Sequence, residues 1–407
     1  MTVTLSDVAA RARVSPATVS RVLNGNYPVA AATRERVLRA VDELDYVLNG
    51  PASSLAAATS DLVGILVNDI ADPFFGIMAG AAQTEIGGQE GAVAPESGRQ
   101  STGAAGTAGG TAGTATATGG AAGSMAGTVG AASPVGAGRV AGRAGSEKLA
   151  VVCNTGGSPE RELTYLTLLQ RQRAAAVVLT GGALEDPGHI EAMTTKLAKL
   201  ADAGTRVVLC GRPPLPGSDA AVAALAFDNR GGARRLTEHL LALGHRRIGY
   251  VAGPAERTTT RHRLEGHREA LAAAGVPEAR DAQGRPLTVH GPYTRDAGYT
   301  ATLELLSRAP ELTAVVAAND TVALGACAAV RERGLRIPAD VSVAGFDDLP
   351  FSVDAVPALT TVRLPLHEAG ARAGRLAMGT EAPPPGGVAT IGAELKARES
   401  TAAPRQA

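Results

Sequence analysis
Residues 5–24 read LSDVAARARVSPATVSRVLN, and their spacing decides the amino-terminal fold. Val8, Ala9 and Ala12 recur at helical spacing, and Val14 falls in the break after them. Ser15 then supplies a helix N-cap, with Pro16 at the first helical position, where a missing N–H costs nothing. Val19, Val22 and Leu23 give the second helix one apolar face. Its opposite face carries Ala17, Thr18, Ser20 and Arg21. Small residues let a backbone approach DNA, hydroxyls suit phosphates, and arginine can fork onto guanine, so this face suits a major groove. An ordinary amphipathic helical hairpin has the same periodicity.

The residues that follow narrow the choice. VSPATVSRVLN (14–24), Val29 and TRERVLRAVDELDYVLN (33–49) together resemble the DNA-binding headpiece of the LacI/GalR family of bacterial repressors. The resemblance implies a helix-turn-helix headpiece over 1–48, with Ser15, Pro16, Ala17, Thr18, Ser20, Arg21 and Asn24 facing operator DNA. It departs at Leu48, where proline is usual, and at Ala30, where a helix-capping serine is common. It also implies a hinge over 49–60 whose Leu55 wedges into the minor groove. Ser53, Ala56 and Ala57 stand where the family carries cations, which lowers the hinge's electrostatic contribution.

Charge agrees with the headpiece reading only locally. The whole chain is balanced, but residues 1–40 hold six arginines against Asp7 and Glu35. Asp42, Glu43 and Asp45 then confine the basic surface to the turn and its flanking helices. The three cysteines, Cys153, Cys210 and Cys327, sit singly in apolar runs, which suits reduced thiols better than a disulfide frame or a metal site. Neither a basic-then-apolar leader nor a membrane-length apolar stretch is present, so the expected compartment is the cytoplasm, with no membrane partner.

From LVGILVN (62–68) onward the pattern alternates strand and helix. Apolar runs at 149–153, 175–181, 206–211, 224–227, 247–253, 313–320 and 341–348 are separated by helical stretches. Such runs imply parallel sheets covered on both faces, in two doubly wound lobes with a cleft at the strands' carboxyl ends. The expected fold class is therefore α/β. By resemblance, the headpiece is followed by a two-lobed periplasmic-binding-protein-like body over 61–401. Lobe 1 is expected over about 61–228 and 362–380, lobe 2 over about 229–361 and 388–401, and a disordered tail over 402–407. Residues 87–147 break the pattern: 34 of 61 are glycine or alanine, too little side chain to offset ordering entropy, so a disordered insertion is expected there. ARES-T (397–401) resembles the family's closing R-E-S-T.

No enzyme constellation, metal-ligand spacing or cofactor fingerprint emerges. Asp347-Asp348 could be an acid/base pair, but two acids at a strand's end equally suit ligand hydroxyls. Asp72-Pro73-Phe74-Phe75 opens a helix after the first strand, Asn319 ends TAVVAAND, and Phe346-Asp347 ends VSVAGFDD. Arg263 stands in an R-x-x-G element similar to the family's. Carried over from the resemblance, the effector contacts are Phe74 or Phe75, Arg263, Asn319, Phe346 and Asp347, a donor and acceptor set suited to a sugar ahead of a purine. Asp228-Asn229 marks the expected first crossing between lobes, and His245 is read as structural.

The resemblance implies a homodimeric transcriptional regulator, a repressor by family habit, reading a pseudo-palindromic operator in double-stranded DNA under effector control. The alternatives are a cytoplasmic sugar-binding protein with a degenerate headpiece and, more distantly, an enzyme on the same frame.

Overall fold
The computed structural model describes residues 4–24, 29–44, 60–88, 148–214 and 222–405. At the amino end, the Thr4 hydroxyl accepts the Asp7 amide while the Asp7 carboxylate accepts the Thr4 amide, a reciprocal cap that the sequence reading had not used. Helix α1 (Leu5–Ala12) stops at Arg13, whose φ of 54° turns the chain into α2 (Pro16–Asn24). Helix α3 (Ala31–Glu43) starts without the family's capping serine, its first turn leaning on the Ala30 carbonyl, which accepts the Thr33 and Arg34 amides. Val8, Val19 and Val37, one from each helix, are fully buried with Ala9, Ala12, Val22 and Ala40 around them. Each valine stabilises the module by about 1.5–3 kcal/mol. An Arg11–Glu43 ion pair also joins α1 to α3. The expected end of the third helix at 46–49 and the hinge with Ser53, Leu55, Ala56 and Ala57 lie outside the described residues.

Lobe 1 alternates β1 (Leu62–Val67), α4 (Pro73–Gly87), β2 (Leu149–Asn154), α5 (Pro159–Arg171), β3 (Ala176–Thr180), α6 (Pro187–Asp202), β4 (Arg206–Cys210) and β5 (Val222–Phe227). Lobe 2 alternates α7 (Asn229–Ala242), β6 (Ile248–Ala252), α8 (Thr258–Ala273), β7 (Thr288–His290), α9 (Arg295–Arg308), β8 (Ala314–Ala317), α10 (Asp320–Glu332), β9 (Ser342–Ala344) and the short α11 (Phe351–Asp354). The chain then runs through β10 (Thr361–Arg363), α12 (Leu366–Met378), β11 (Val388–Ile391) and β12 (Glu394–Lys396).

Two parallel sheets result, ordered β11-β5-β4-β3-β1-β2 and β7-β6-β8-β9. Strands such as β3, buried along their whole length, pack helices on both faces, and this is why they read as unbroken apolar runs. Strand order reverses between β1 and β3 in one sheet and between β6 and β8 in the other, which opens a crevice at the carboxyl ends in each. Helix α12 returns to lobe 1 and lies so close to α4 that a Cβ at Gly370 would overlap the Met78 carbonyl.

Three differences from the sequence reading concern the carboxyl end and the insertion. β11 pairs in parallel with β5, so residues 388–391 belong to the lobe 1 sheet and not to lobe 2. The supposed tail at 402–405 is ordered along lobe 2: Ala402 bonds to the Ser342 hydroxyl and the His245 ring, and Arg405 to the Pro310 carbonyl. Gly87 closes helix α4 and Gly88 follows it, whereas 89–147, the rest of the expected insertion, lies outside the described residues. His245 spans the Thr313 hydroxyl and the Ala402 carbonyl at the amino end of β6, a structural position as expected.

Candidate DNA-reading face and ligand cleft
On α2, the Ser15 hydroxyl accepts the Thr18 amide at 3.1 Å and lies 2.9 Å from the Thr18 hydroxyl. Ser15 is therefore the cap that the sequence implied. Thr18, by contrast, is half-buried with its hydroxyl engaged by that cap. Pro16, Ala17 and Arg21 are exposed and Ser20 is half-buried, while Val19 and Val22 face the core. Ala17 and Arg21, one turn apart, share a face, and Asn24 ends the helix. Leu55 lies outside the described residues.

The ligand cleft, about 370 Å³, lies where the two crevices meet. From lobe 1, Asp69 and Asp72 follow β1: Asp72 caps α4 by accepting the Phe74 amide at 3.0 Å, and Asp69 accepts the Ala71 amide. That cap aims Phe74 and Phe75 at the cleft, in edge contact with each other at 5.0 Å, with Phe227 behind Phe74. Glycines end the neighbouring strands, and a Cβ at Gly181 would strike the Phe75 ring.

Lobe 2 supplies a buried polar network. Arg263, 3% exposed, donates from Nε to Asn229 Oδ1 at 2.8 Å, from Nη1 to the Ala318 carbonyl at 2.6 Å, and from Nη2 to Asp347 Oδ1 at 2.7 Å. Phe346 does not line the cleft: it is buried beneath Arg263, whose guanidinium lies 3.8 Å over its ring. The strand ends at Ala344, and Asp347 takes a φ of 103°, so the turn after β9 sends Asp347 to the cleft while Phe346 stays in the core. Asn319 lines the cleft and caps α10 through the Val322 amide.

Burial pushes the Asp347 carboxyl up to about 7, opposed by Arg263 and reinforced by Asp320 and Asp72. Asp72 is likewise raised, first by burial, with Asp69 adding to it against the Phe74 amide and Arg263. Asp320, behind the site, accepts from the Leu349 amide, Ser352 and Thr361, yet burial holds it up at about 6. Asp348 is no partner for Asp347 in acid/base work, because Arg363 and Arg398 hold it elsewhere.

Several lining residues escaped the sequence reading: Asn68, Asp69, Asn229, Glu256, Arg257 and Tyr293. Asn68, Asp69 and Asn229 lie within two residues of a strand end, a signal that was available for those three. Arg257 reaches across from lobe 2 to the lobe 1 carbonyls of Gly157 (2.7 Å) and Gly182 (3.4 Å). Around it the lobes are clasped by Glu185 N to Glu256 O, Thr258 N to Ala183 O, and Ala183 N to the Thr258 hydroxyl. A Cβ at Gly182 would overlap the Thr259 hydroxyl, so a side chain there would have to push Thr259 aside.

Two family descriptions match: bacterial regulatory proteins, lacI family, over residues 4–49, and a periplasmic binding protein-like domain over 237–401. The chain is 33% identical over 380 residues to the HTH-type transcriptional regulator CelR of Thermobifida fusca, spanning 92% of this chain and 90% of that one. It is 30% identical over 375 residues to GalR of Escherichia coli (strain K12), spanning 92% and 88%. Among solved structures, a CelR–cellobiose complex superposes with a TM-score of 0.59 at 30% identity, covering 98% of this chain and 99% of that one. A lac repressor dimer bound to operator and the anti-inducer ONPF shares the fold with a TM-score of 0.70 at 24% identity, covering 99% and 100%.

Proposed function
The chain belongs to the LacI family of bacterial regulatory proteins, and from that premise we propose that it is a homodimeric, cytoplasmic repressor and not an enzyme. It is a DNA-binding transcriptional regulator with a helix-turn-helix headpiece and an effector-binding body. Its operator is pseudo-palindromic, read in each half-site by the exposed face of α2, with Arg21 on a base edge and Ser15, Thr18 and Ser20 serving the phosphates. Its effector is a sugar in the interlobe cleft.

One observation carries the effector reading: a buried polar network, Asn229–Arg263–Asp347, lines the cleft opposite aromatic rings. Carboxylates and amides suit hydroxyls, and aromatic faces suit the apolar face of a sugar ring. The homodimer is supported by β2, an edge strand that presents Leu149 (65% exposed) and Val151 on one face. The intact headpiece core weighs against a sugar-binding protein whose headpiece no longer reads DNA.

Fluorescence anisotropy on the cognate operator and a scrambled duplex tests the reading. Arg21→Ala is expected to cost about 1–3 kcal/mol on the operator and much less on random DNA. A sugar is expected to shift operator affinity through its differential affinity for the two lobe arrangements. Equal loss on both duplexes reduces Arg21 to a phosphate contact, and no operator preference at all defeats the proposal.

A further inference from the structure
The charge of the cleft narrows its ligand further. Four carboxylates line it, Asp69, Asp72, Glu256 and Asp347, against the guanidiniums of Arg257 and Arg263. Both guanidiniums are already engaged by the protein. Arg263 uses Nε, Nη1 and Nη2 on Asn229, Ala318 and Asp347, and Arg257 binds the Gly157 and Gly182 carbonyls. No lysine lines the cleft among the described residues.

Helix starts also face this space, and helix starts attract anions. At three of them a side chain already takes one first-turn amide: Asp72 that of Phe74, Asn319 that of Val322 and Thr294 that of Ala297. Helix α8 has no side-chain cap, but its first amide, Thr258 N, is taken by the Ala183 carbonyl. Two of the four carboxylates are themselves held above their ordinary range, burial acting first and neighbouring acids adding to it. A phosphate group placed among them would meet the same desolvation and repulsion, and would have to share each guanidinium with the internal partners it already holds. Sugar hydroxyls, as donors, meet acceptors instead.

Resting on the saccharide reading above, we propose that the effector is an uncharged saccharide and that this cleft excludes phosphorylated sugars and nucleotides by charge. Titration calorimetry of the full chain with glucose, galactose, ribose and cellobiose, each beside its phosphate monoester, tests this. Any sugar that binds is expected to do so about 100-fold tighter than its monoester, ~2.8 kcal/mol. The double variant Asp69→Asn, Glu256→Gln is expected to narrow that ratio to about 10-fold. A monoester that binds as well as its parent, or binds where the parent does not, overturns the exclusion and leaves the saccharide reading standing. Binding by no sugar in either form removes the saccharide reading and this inference with it. Thermal protection by inorganic phosphate that disappears in Arg257→Ala reveals an anion site and also overturns the exclusion.

Discussion
The two walls of the cleft are built differently. Lobe 1 offers aromatic rings, strand-ending glycines and two capping aspartates; lobe 2 offers a closed circuit of buried polar groups centred on Arg263. The buried acids beneath them also differ. In lobe 1, Glu162 is packed between Arg212 and His189, at 2.9 and 3.2 Å, and these partners overcome burial to hold it near 2. In lobe 2, Asp320 has hydroxyl and amide donors but no paired cation among the described residues, and burial wins. The difference belongs to the partners and not to the lobe as a whole: Glu162 keeps its charge between Arg212 and His189, whereas Asp320 with neutral donors, and Asp347 with one arginine among other acids, hold their protons more tightly.

The strongest test of this contrast is to break the lobe 2 circuit. Arg263→Ala leaves Asp347, Asn229 and the Ala318 carbonyl buried without their donor, so denaturant unfolding should show a loss of about 3–5 kcal/mol together with loss of the sugar response. A near-neutral stability change would mean that water replaces the guanidinium and that the circuit is not structural.

The pH dependences should run in opposite directions. Glu162, depressed in the fold, contributes about 3 kcal/mol that is fully present above pH 4.5 and is lost as pH falls toward 2. Asp320, raised in the fold, binds its proton more tightly there than in the unfolded chain. Stability should therefore fall by about 2–3 kcal/mol as pH rises from about 4 to about 6. Asp347 should act in the same direction as Asp320. Melting temperatures of Glu162→Gln and Asp320→Asn across this range separate the two: each variant should make only its own limb shallower, with Asp281 still contributing to the acid limb and Asp347 to the other. A common change in both limbs would erase the distinction between the two acids.

Smaller effects belong to the lobe 1 wall and the clasp. Phe75 is half-buried, so Phe75→Ala should weaken sugar binding about 10-fold, ~1.4 kcal/mol, with less loss of stability than Phe74→Ala, which empties a core position at about 3–5 kcal/mol. If Phe75→Ala leaves calorimetric affinity unchanged, the aromatic wall does not touch the ligand. Arg261 and Glu185 pair across the clasp at 2.8 Å but are 46% and 26% exposed, so Arg261→Ala should cost only about 0.2–1 kcal/mol and lose even that in high salt.

How much of this was legible varied with how local the cause is. The strands announce themselves through runs such as Ala176–Thr180, and Ser15, Asp72 and Asn319 sit where caps belong. Asn229 did not, because its task depends on meeting Arg263, a residue 34 positions later. Tyr293 follows a strand of three residues, Thr288–His290, too short to register as a period. Strand β11 was assigned to the wrong lobe because an apolar run carries no mark of the sheet it joins. Phe346 was misplaced for a related reason: it lies past the end of β9, where Asp347 takes a φ of 103° and strand alternation no longer says which side chain faces the cleft.

The return of α12 and β11 to lobe 1 has a consequence for biosynthesis. Lobe 1 is the first of the two to leave the ribosome, yet the helix covering α4 and the strand beside β5 come from residues 366–391, made after almost all of lobe 2. A growing chain ending anywhere before residue 366 carries β5 as a bare edge and the α4 surface around Met78 and Ala82 uncovered. Its first lobe must therefore wait for the second, and the nascent protein presents an unpaired strand and an apolar helix face through most of its own synthesis.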